Sequence, residues 1–406
     1  MKLAGCAENV SMTRRGLLGA AALSGLASAG LSTSLAFAAE PGYRGDTLVV
    51  LSLRGGFDGL SAIAPIGDPD YYKARPTIGL PKSQVIAGDG TFGLHPALAP
   101  LLPAWKAGQL AAVHAVGQGN PTRSHFAAME AMENAAPGTS IRTGWLDRML
   151  GATGASGPLA GVSVGHAMPA RLFAGPAPAV SMSSIDKFTL AGDSDKRPIA
   201  AALRQMYADG PAIAADKAVT ALRTLPAARS ATTYPATELG AALRDVARLI
   251  KAKSGLVTAA VDCGDWDMHD ALGTAVKGQR MYDNLTELAT ALAAFTADLG
   301  PDGMAGVTLL TISEFGRRVE ENGSRGADHG HGNAMLLLGG GVRGGKVYAN
   351  WPGLSPGALV AGDLAVTTDY RSVIGEILRS RCGFGALDAV FPGVKPSSFG
   401  LATLRS

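Results

Sequence analysis

Residues 47–53 (TLVVLSL) form a continuous apolar run of strand length that stops at a glycine-rich turn, Arg54-Gly55-Gly56-Phe57-Asp58-Gly59. A strand that is apolar on both sides has to be covered on both sides. That is the situation of a central strand in a parallel sheet flanked by helices. The pattern returns at Leu110–Val116, Leu256–Val261, Val307–Ile312 and Ala334–Leu338, all of which read as strands. Between them, Met281, Leu285, Leu288, Leu292 and Phe295 recur every three or four residues, which predicts a helix over 276–298. Further helices are expected over 97–107, 125–134, parts of 197–253, and 369–380. Strands alternating with helices predict an α/β fold: a mostly parallel sheet, all strands pointing one way, sandwiched by helices. With 47% hydrophobic residues and 54 glycines, the composition supplies both the core and the tight turns such a fold needs.

Residues 1–38 read as an address rather than as part of this fold. Thr13-Arg14-Arg15-Gly16-Leu17-Leu18 precedes an Ala/Gly/Leu/Ser stretch, and Ala36-Phe37-Ala38 is a small-residue cleavage site. These features predict a cleaved signal peptide of the twin-arginine type, with the twin-arginine export machinery as a partner and a periplasmic or secreted destination. A membrane anchor fits less well, because glycine and serine dilute the stretch; Met12 is an alternative start. No later segment reaches ~18 uninterrupted apolar residues, so no stable membrane insertion is expected after cleavage. Without the signal the chain is close to neutral and has no Lys/Arg run, which argues against nucleic-acid binding. Cys263 and Cys382 remain, enough for one disulfide but not for a disulfide framework. Residues 39–406 are expected to form a single domain, with the Gly/Pro/Ser-rich stretch around 155–235 as an insertion over the site.

The strand ends carry the chemistry. Asp58 follows the first strand, and Ser124 stands at the N-cap of the 125–134 helix after the second, with Arg123 and His125, a candidate catalytic base or phosphate donor, beside it. Asp262-Cys263-Gly264-Asp265-Trp266-Asp267-Met268-His269 follows the third strand and Ser313-Glu314-Phe315-Gly316-Arg317 the fourth. Asp328-His329-Gly330-His331 precedes the fifth. Ligands of open α/β sheets bind in the crevice at the carboxyl ends of the strands. Asp oxygens and imidazole nitrogens suit zinc, manganese or iron, and the i, i+2 pairs Asp267/His269 and His329/His331 share one side of an extended loop. Such a set suits hydrolysis of an anionic ester, with one or two divalent ions (Zn, Mn or Ca) and Ser124 as nucleophile. Arg123, Arg54 or Arg317 is the candidate clamp for the anionic group.

The segments RGGFDGLSAIAP, YYKARP, FGLHPALAPL, TRSHFAAMEAME, GWLDRML, VDCGDWDMHD, TISEFGRRVEENGSRGADHGHGN and LLLGGGVRGGKVY resemble the DUF1501 family over nearly all of 46–394. The resemblance implies a doubly wound, alkaline phosphatase-like α/β fold and a phosphatase- or sulfatase-like hydrolase. It implies Asp58 as a metal aspartate, Ser124 as the nucleophile, and Asp267 with His269 as ligands of one metal. Asp265 is an alternative to Asp267, which the resemblance to the family favours. Where phosphatases have Asp-His, this chain has Glu314-Phe315: the carboxylate of Glu314 survives as an expected metal ligand and the histidine is lost, so Asp328-His329 and His331, also expected at the metal, either supply the missing imidazole or match the final histidine of the superfamily site. The competing expectation is a non-catalytic exported protein of the same fold that binds a polymer or a partner protein.

Overall fold

The computed structural model describes residues 43–165, 170–188, 218, 222, 232–385 and 387–405. The expected signal peptide and most of 189–231 lie outside them. The central sheet contains β1 (Thr47–Leu53), β2 (Leu110–Gly117), β3 (Gly161–Val164), β4 (Ala179–Met182), β5 (Thr258–Cys263), β6 (Val307–Ile312), β7 (Asn333–Gly339), β8 (Val347–Tyr348) and β9 (Thr368–Asp369). Its order is β8-β2-β7-β6-β1-β5-β3-β4, with β9 also beside β2. β1 is central, as its apolar character demands. Its residues alternate between two cores: Val49, Leu51 and Leu53 enter one, Leu48 and Val50 the other.

Helices cover both faces. α1 (His125–Asn134), α2 (Trp145–Thr153) and α5 (Tyr370–Arg381) pack through Met132, Trp145, Met149, Val373 and Ile377 into one core. α3 (Glu238–Lys251) and α4 (Arg280–Met304) pack through Leu243, Val246, Leu285, Leu292 and Phe295 into the other. The expected helix over 97–107 is a 3-10 stretch, Pro96–Leu101, running into the short helix Leu102–Lys106, because Pro100 and Pro103 remove backbone donors. The described parts of 155–188 add β3 and β4 to the edge of the sheet. Both thiols, Cys263 and Cys382, are free.

One expectation is corrected. The strands do not all point one way: β7 runs antiparallel to both neighbours, β2 and β6. Parallel neighbours need a crossover, usually a helix. Residues 313–332, between β6 and β7, contain no helix, so the chain simply turns back. The reversal puts the loop preceding β7, with Asp328, His329 and His331, at the edge where the other strands end. In an all-parallel sheet that loop would lie at the opposite edge.

Candidate metal centre

Four of the expected residues meet at this edge. Asp267 Oδ1 lies 3.0 Å from His269 Nε2 and 3.2 Å from His329 Nε2, and its Oδ2 lies 3.6 Å from His125 Nε2. One ligand atom each from His125, Asp267 and His329 fall within 4.8 Å of one another, as a single metal ion requires. His269 Nε2 stands 3.0 Å from His329 Nε2. α1 delivers His125 from its first residue. His329 is held by a narrow ribbon in which Arg317 pairs with His329 and Arg318 N–H donates to the Asp328 carbonyl at 2.8 Å. Gly330 is required in that ribbon, since a Cβ there would lie 2.5 Å from the Arg317 carbonyl carbon. Phe315 does not fill a ligand position. It forms a wall, its ring centroid 4.6 Å from that of His329 and 4.9 Å from that of His125.

The partners of the imidazoles orient their rings. His125 Nδ1 faces Glu314 Oε1 at 2.9 Å, His269 Nδ1 faces Asp328 Oδ1 at 2.7 Å, and His329 Nδ1 faces the Arg123 carbonyl at 2.9 Å. A carboxylate or carbonyl oxygen accepts, so each Nδ1 is placed to donate; each Nε2 then faces Asp267, bare when a metal ion lies between them and a donor to the carboxylate when it is protonated. Metal-binding histidines are oriented in this manner, by a carboxylate or backbone carbonyl on the other ring nitrogen. Two bare nitrogens 3.0 Å apart need a positive charge among them, a proton or a metal ion. These residues therefore fit a divalent ion. Burial pushes the pKa of Asp267 up, but the hydrogen bond and charge of Arg317, with His329 and His269, bring it down to about 2. The hydrogen bond from His269 likewise holds Asp328 below the usual carboxylate range.

A sequence profile described as "Protein of unknown function (DUF1501)" matches residues 46–371. The chain belongs to the DUF1501 family. No curated protein matches it. Among solved structures, it is similar to the C-terminal periplasmic domain of EptC from Escherichia coli, at 9% identity and TM-score 0.38 over 88% of this chain and 90% of that one. A zinc complex of the same domain matches at 10% identity and TM-score 0.36, over 74% of each chain. The lipoteichoic acid synthase LtaP from Listeria monocytogenes matches at 9% identity and TM-score 0.34, over 79% of this chain and 74% of that one. All three likenesses are remote.

Other expected residues of this DUF1501 chain are placed apart from the cluster. Asp58, expected as a metal ligand, is 3% exposed, and both its oxygens are bound by Arg75, at 2.5 and 3.0 Å. Burial alone would raise its pKa; Arg75, with Ser61, holds it below the usual range. His331 departs from His329 despite the i, i+2 spacing, because 328–331 bends through the ribbon rather than running as a regular strand. Its Nδ1 lies 3.3 Å from Asp363 Oδ2. Glu314 is at the site but serves behind it: it is almost fully buried and accepts from Gly55 N–H at 2.8 Å as well as facing His125. Asp265 turns to Arg280 at 2.8 Å.

Among the clamp candidates, Arg54 is committed to Glu133 and Asp262, at 2.6 and 2.9 Å. Arg317, with a side chain 0% exposed, spends its donors on the carbonyls of Gly55, Gly56, Trp266 and Ala327 and on Asp267. Neither faces solvent as a clamp would. Ser124 occupies the N-cap position of α1 and is exposed, with no capping bond from its hydroxyl. The residues missed in the sequence are Arg75, Asp363 and Asn322, the last of which donates to Asp328 at 3.1 Å. Nothing in local spacing marks them, since Arg75 and Asp363 meet their partners only through the fold.

Proposed function

We propose that this protein is an exported, metal-dependent hydrolase of phosphate or sulfate esters. The observation that carries the reading is the convergence on Asp267 of imidazole Nε2 atoms whose Nδ1 partners are all acceptors. His125, His329 and Asp267, with His269 beside them, would hold one divalent ion; nitrogen donors favour zinc or manganese over calcium. When bound, such an ion polarises the ester oxygen and offsets charge on the leaving oxygen. Ser124 is the nucleophile in this reading. Its hydroxyl is free of capping and stands at the start of a ten-residue helix, whose N–H groups and dipole favour an anion. Arg123 orients the anionic group. Glu314, Asp328 and the Arg123 carbonyl keep the imidazoles in register. Export by the twin-arginine route rests on residues 13–38 of the sequence.

The test is metal analysis of protein purified from the periplasm, together with turnover of aryl phosphates and aryl sulfates. One ion per chain is expected, and Ser124→Ala should lose turnover about a hundredfold or more while keeping the metal. Absence of a transition metal, with no activity restored by Zn, Mn or Ca, would sink the reading. One observation favours the alternative of a non-catalytic binder of a polymer or partner: among the described residues, the Ser124 hydroxyl has no hydrogen-bonded base. Loss of turnover in folded Ser124→Ala and His329→Ala proteins would dismiss it.

A further inference from the structure

Next to the metal cluster lies a second group of charges. Asp363 is completely buried, and its carboxylate is shared by two arginines from distant segments. Arg123 Nε and Nη2 donate to Oδ2 at 3.0 and 2.5 Å, and Arg318 Nε lies 3.5 Å from Oδ1. Both Nη2 atoms also donate to the Ala361 carbonyl, at 3.2 and 3.1 Å, so they lie no more than about 6 Å apart. Yet these side chains are 40% and 37% exposed, and neither Nη1 has a hydrogen-bond partner among the described residues. His331 closes the buried side of Asp363.

Two guanidiniums held this close repel each other. One buried carboxylate is shared between the two guanidiniums, and the half-exposed Asp328 attracts Arg318 only as a weaker, solvent-screened partner. The remaining charge, with open donors, is directed to solvent beside the cluster. The connection to the cluster is direct on both sides: the Arg123 carbonyl accepts from His329, and Arg318 N–H donates to the Asp328 carbonyl. Planar guanidiniums fixed at this spacing match the oxygens of a tetrahedral oxyanion better than a mobile lysine would.

We propose that Arg123 and Arg318, anchored together by Asp363, form a two-arginine clamp that binds the phosphate or sulfate group of the substrate beside the metal. The proposal rests on the hydrolase reading for its substrate class and adds Arg318 and Asp363 to that site. Arg318 contacts the anion, and Asp363 is a positioning residue.

Calorimetry with inorganic phosphate and, separately, inorganic sulfate on the metal-loaded full-length protein tests it. Arg318→Met should weaken binding of the preferred anion by about tenfold to a hundredfold, the usual worth of a charged hydrogen bond. Metal content and thermal midpoint should stay unchanged, and Arg318→Lys should recover only part of the affinity. The phosphate and sulfate arms show which anion is preferred. Equal affinity of wild type and Arg318→Met for both anions would overturn the clamp, as would a loss of affinity that merely follows loss of metal. If no ester is ever turned over but anion binding still depends on Arg318, the hydrolase reading fails and the clamp stands.

Discussion

Asp58 and Asp267 follow adjacent strands of the sheet, β1 and β5, and each is bound by an arginine, yet one is closed and the other open. Arg75 takes both oxygens of Asp58 and spends its other donors on Ser61 and on the carbonyls of Arg318 and Val319. Every polar atom of the pair is satisfied, and nothing is left for a ligand. Arg317 takes one oxygen of Asp267, while the other faces His125 and the carboxylate is 47% exposed. A strand-end carboxylate thus becomes a ligand or a strut according to what its second oxygen meets. The closed pair ties the turn after β1 to the helix Pro69–Ala74 and to residues 318–319 behind the metal cluster, so the open site stands on the closed one.

The contrast is broken most directly at Arg75. Arg75→Met would leave a buried, unpaired carboxylate, and removing one partner of a buried ion pair costs about 3–5 kcal/mol. Urea denaturation should show that loss. The double variant Asp58→Asn, Arg75→Met should regain most of it, because no charge is then stranded. If Arg75→Met is as stable as wild type, Asp58 is not the strut described here.

Acid sharpens the comparison, because two buried imidazoles, His114 and His95, lie outside the open site. Burial lowers the pKa of each to about 4. Each has its Nδ1 occupied as an acceptor, from Ala115 N–H and Ala97 N–H, so protonation would break a bond as well as bury a charge. Above pH ~6.5 both are neutral folded or unfolded, and stability is flat on their account. As the pH falls from ~6.5 toward 4, the unfolded chain takes up protons that the folded chain refuses, and stability drops by up to about 3 kcal/mol per imidazole. Asp267 adds little in that window, since its stabilisation is present above the unfolded carboxylate's pKa of ~3.9 and is lost only as the pH falls from there through about 2. Thermal midpoints between pH 7 and 4 measure the loss, and His114→Gln should flatten the profile.

Much of this architecture was written locally. β1 and β6 coincide with their apolar runs, because burial on both faces leaves short segments few alternatives, and α1 coincides with its predicted span. Asp267 and His269 were legible because they follow an apolar strand, at the edge where ligands of such sheets bind; His329 reaches that edge only through the reversal of β7, and His125, read as a base beside Ser124, instead turns its Nε2 to Asp267. What was not legible depends on pairing across the fold. The reversal of β7 is decided by the absence of a crossover helix after Ile312. The capture of Asp58 by Arg75, and of Arg123 by Asp363, joins residues 17 and 240 positions apart. Phe315, which in sequence looks like a lost ligand, makes sense only beside the rings it packs against.

The smallest predicted effect lies at the rim of the open site. Asp328 is half exposed, and its Oδ1 holds His269 Nδ1 and accepts from Asn322. Because water reaches it, Asp328→Ala should change folding stability by no more than about 0.5 kcal/mol, as for other surface substitutions. His269 would nonetheless lose the acceptor that orients its ring and turns its Nε2 toward Asp267. Loss of such an outer partner typically lowers metal affinity tenfold to a hundredfold. Titration with zinc, read by calorimetry beside wild type, should therefore show a weakened site in a protein of unchanged thermal midpoint. Unchanged zinc affinity would mean that His269 is a bystander, and that the ion is held by His125, Asp267 and His329 alone.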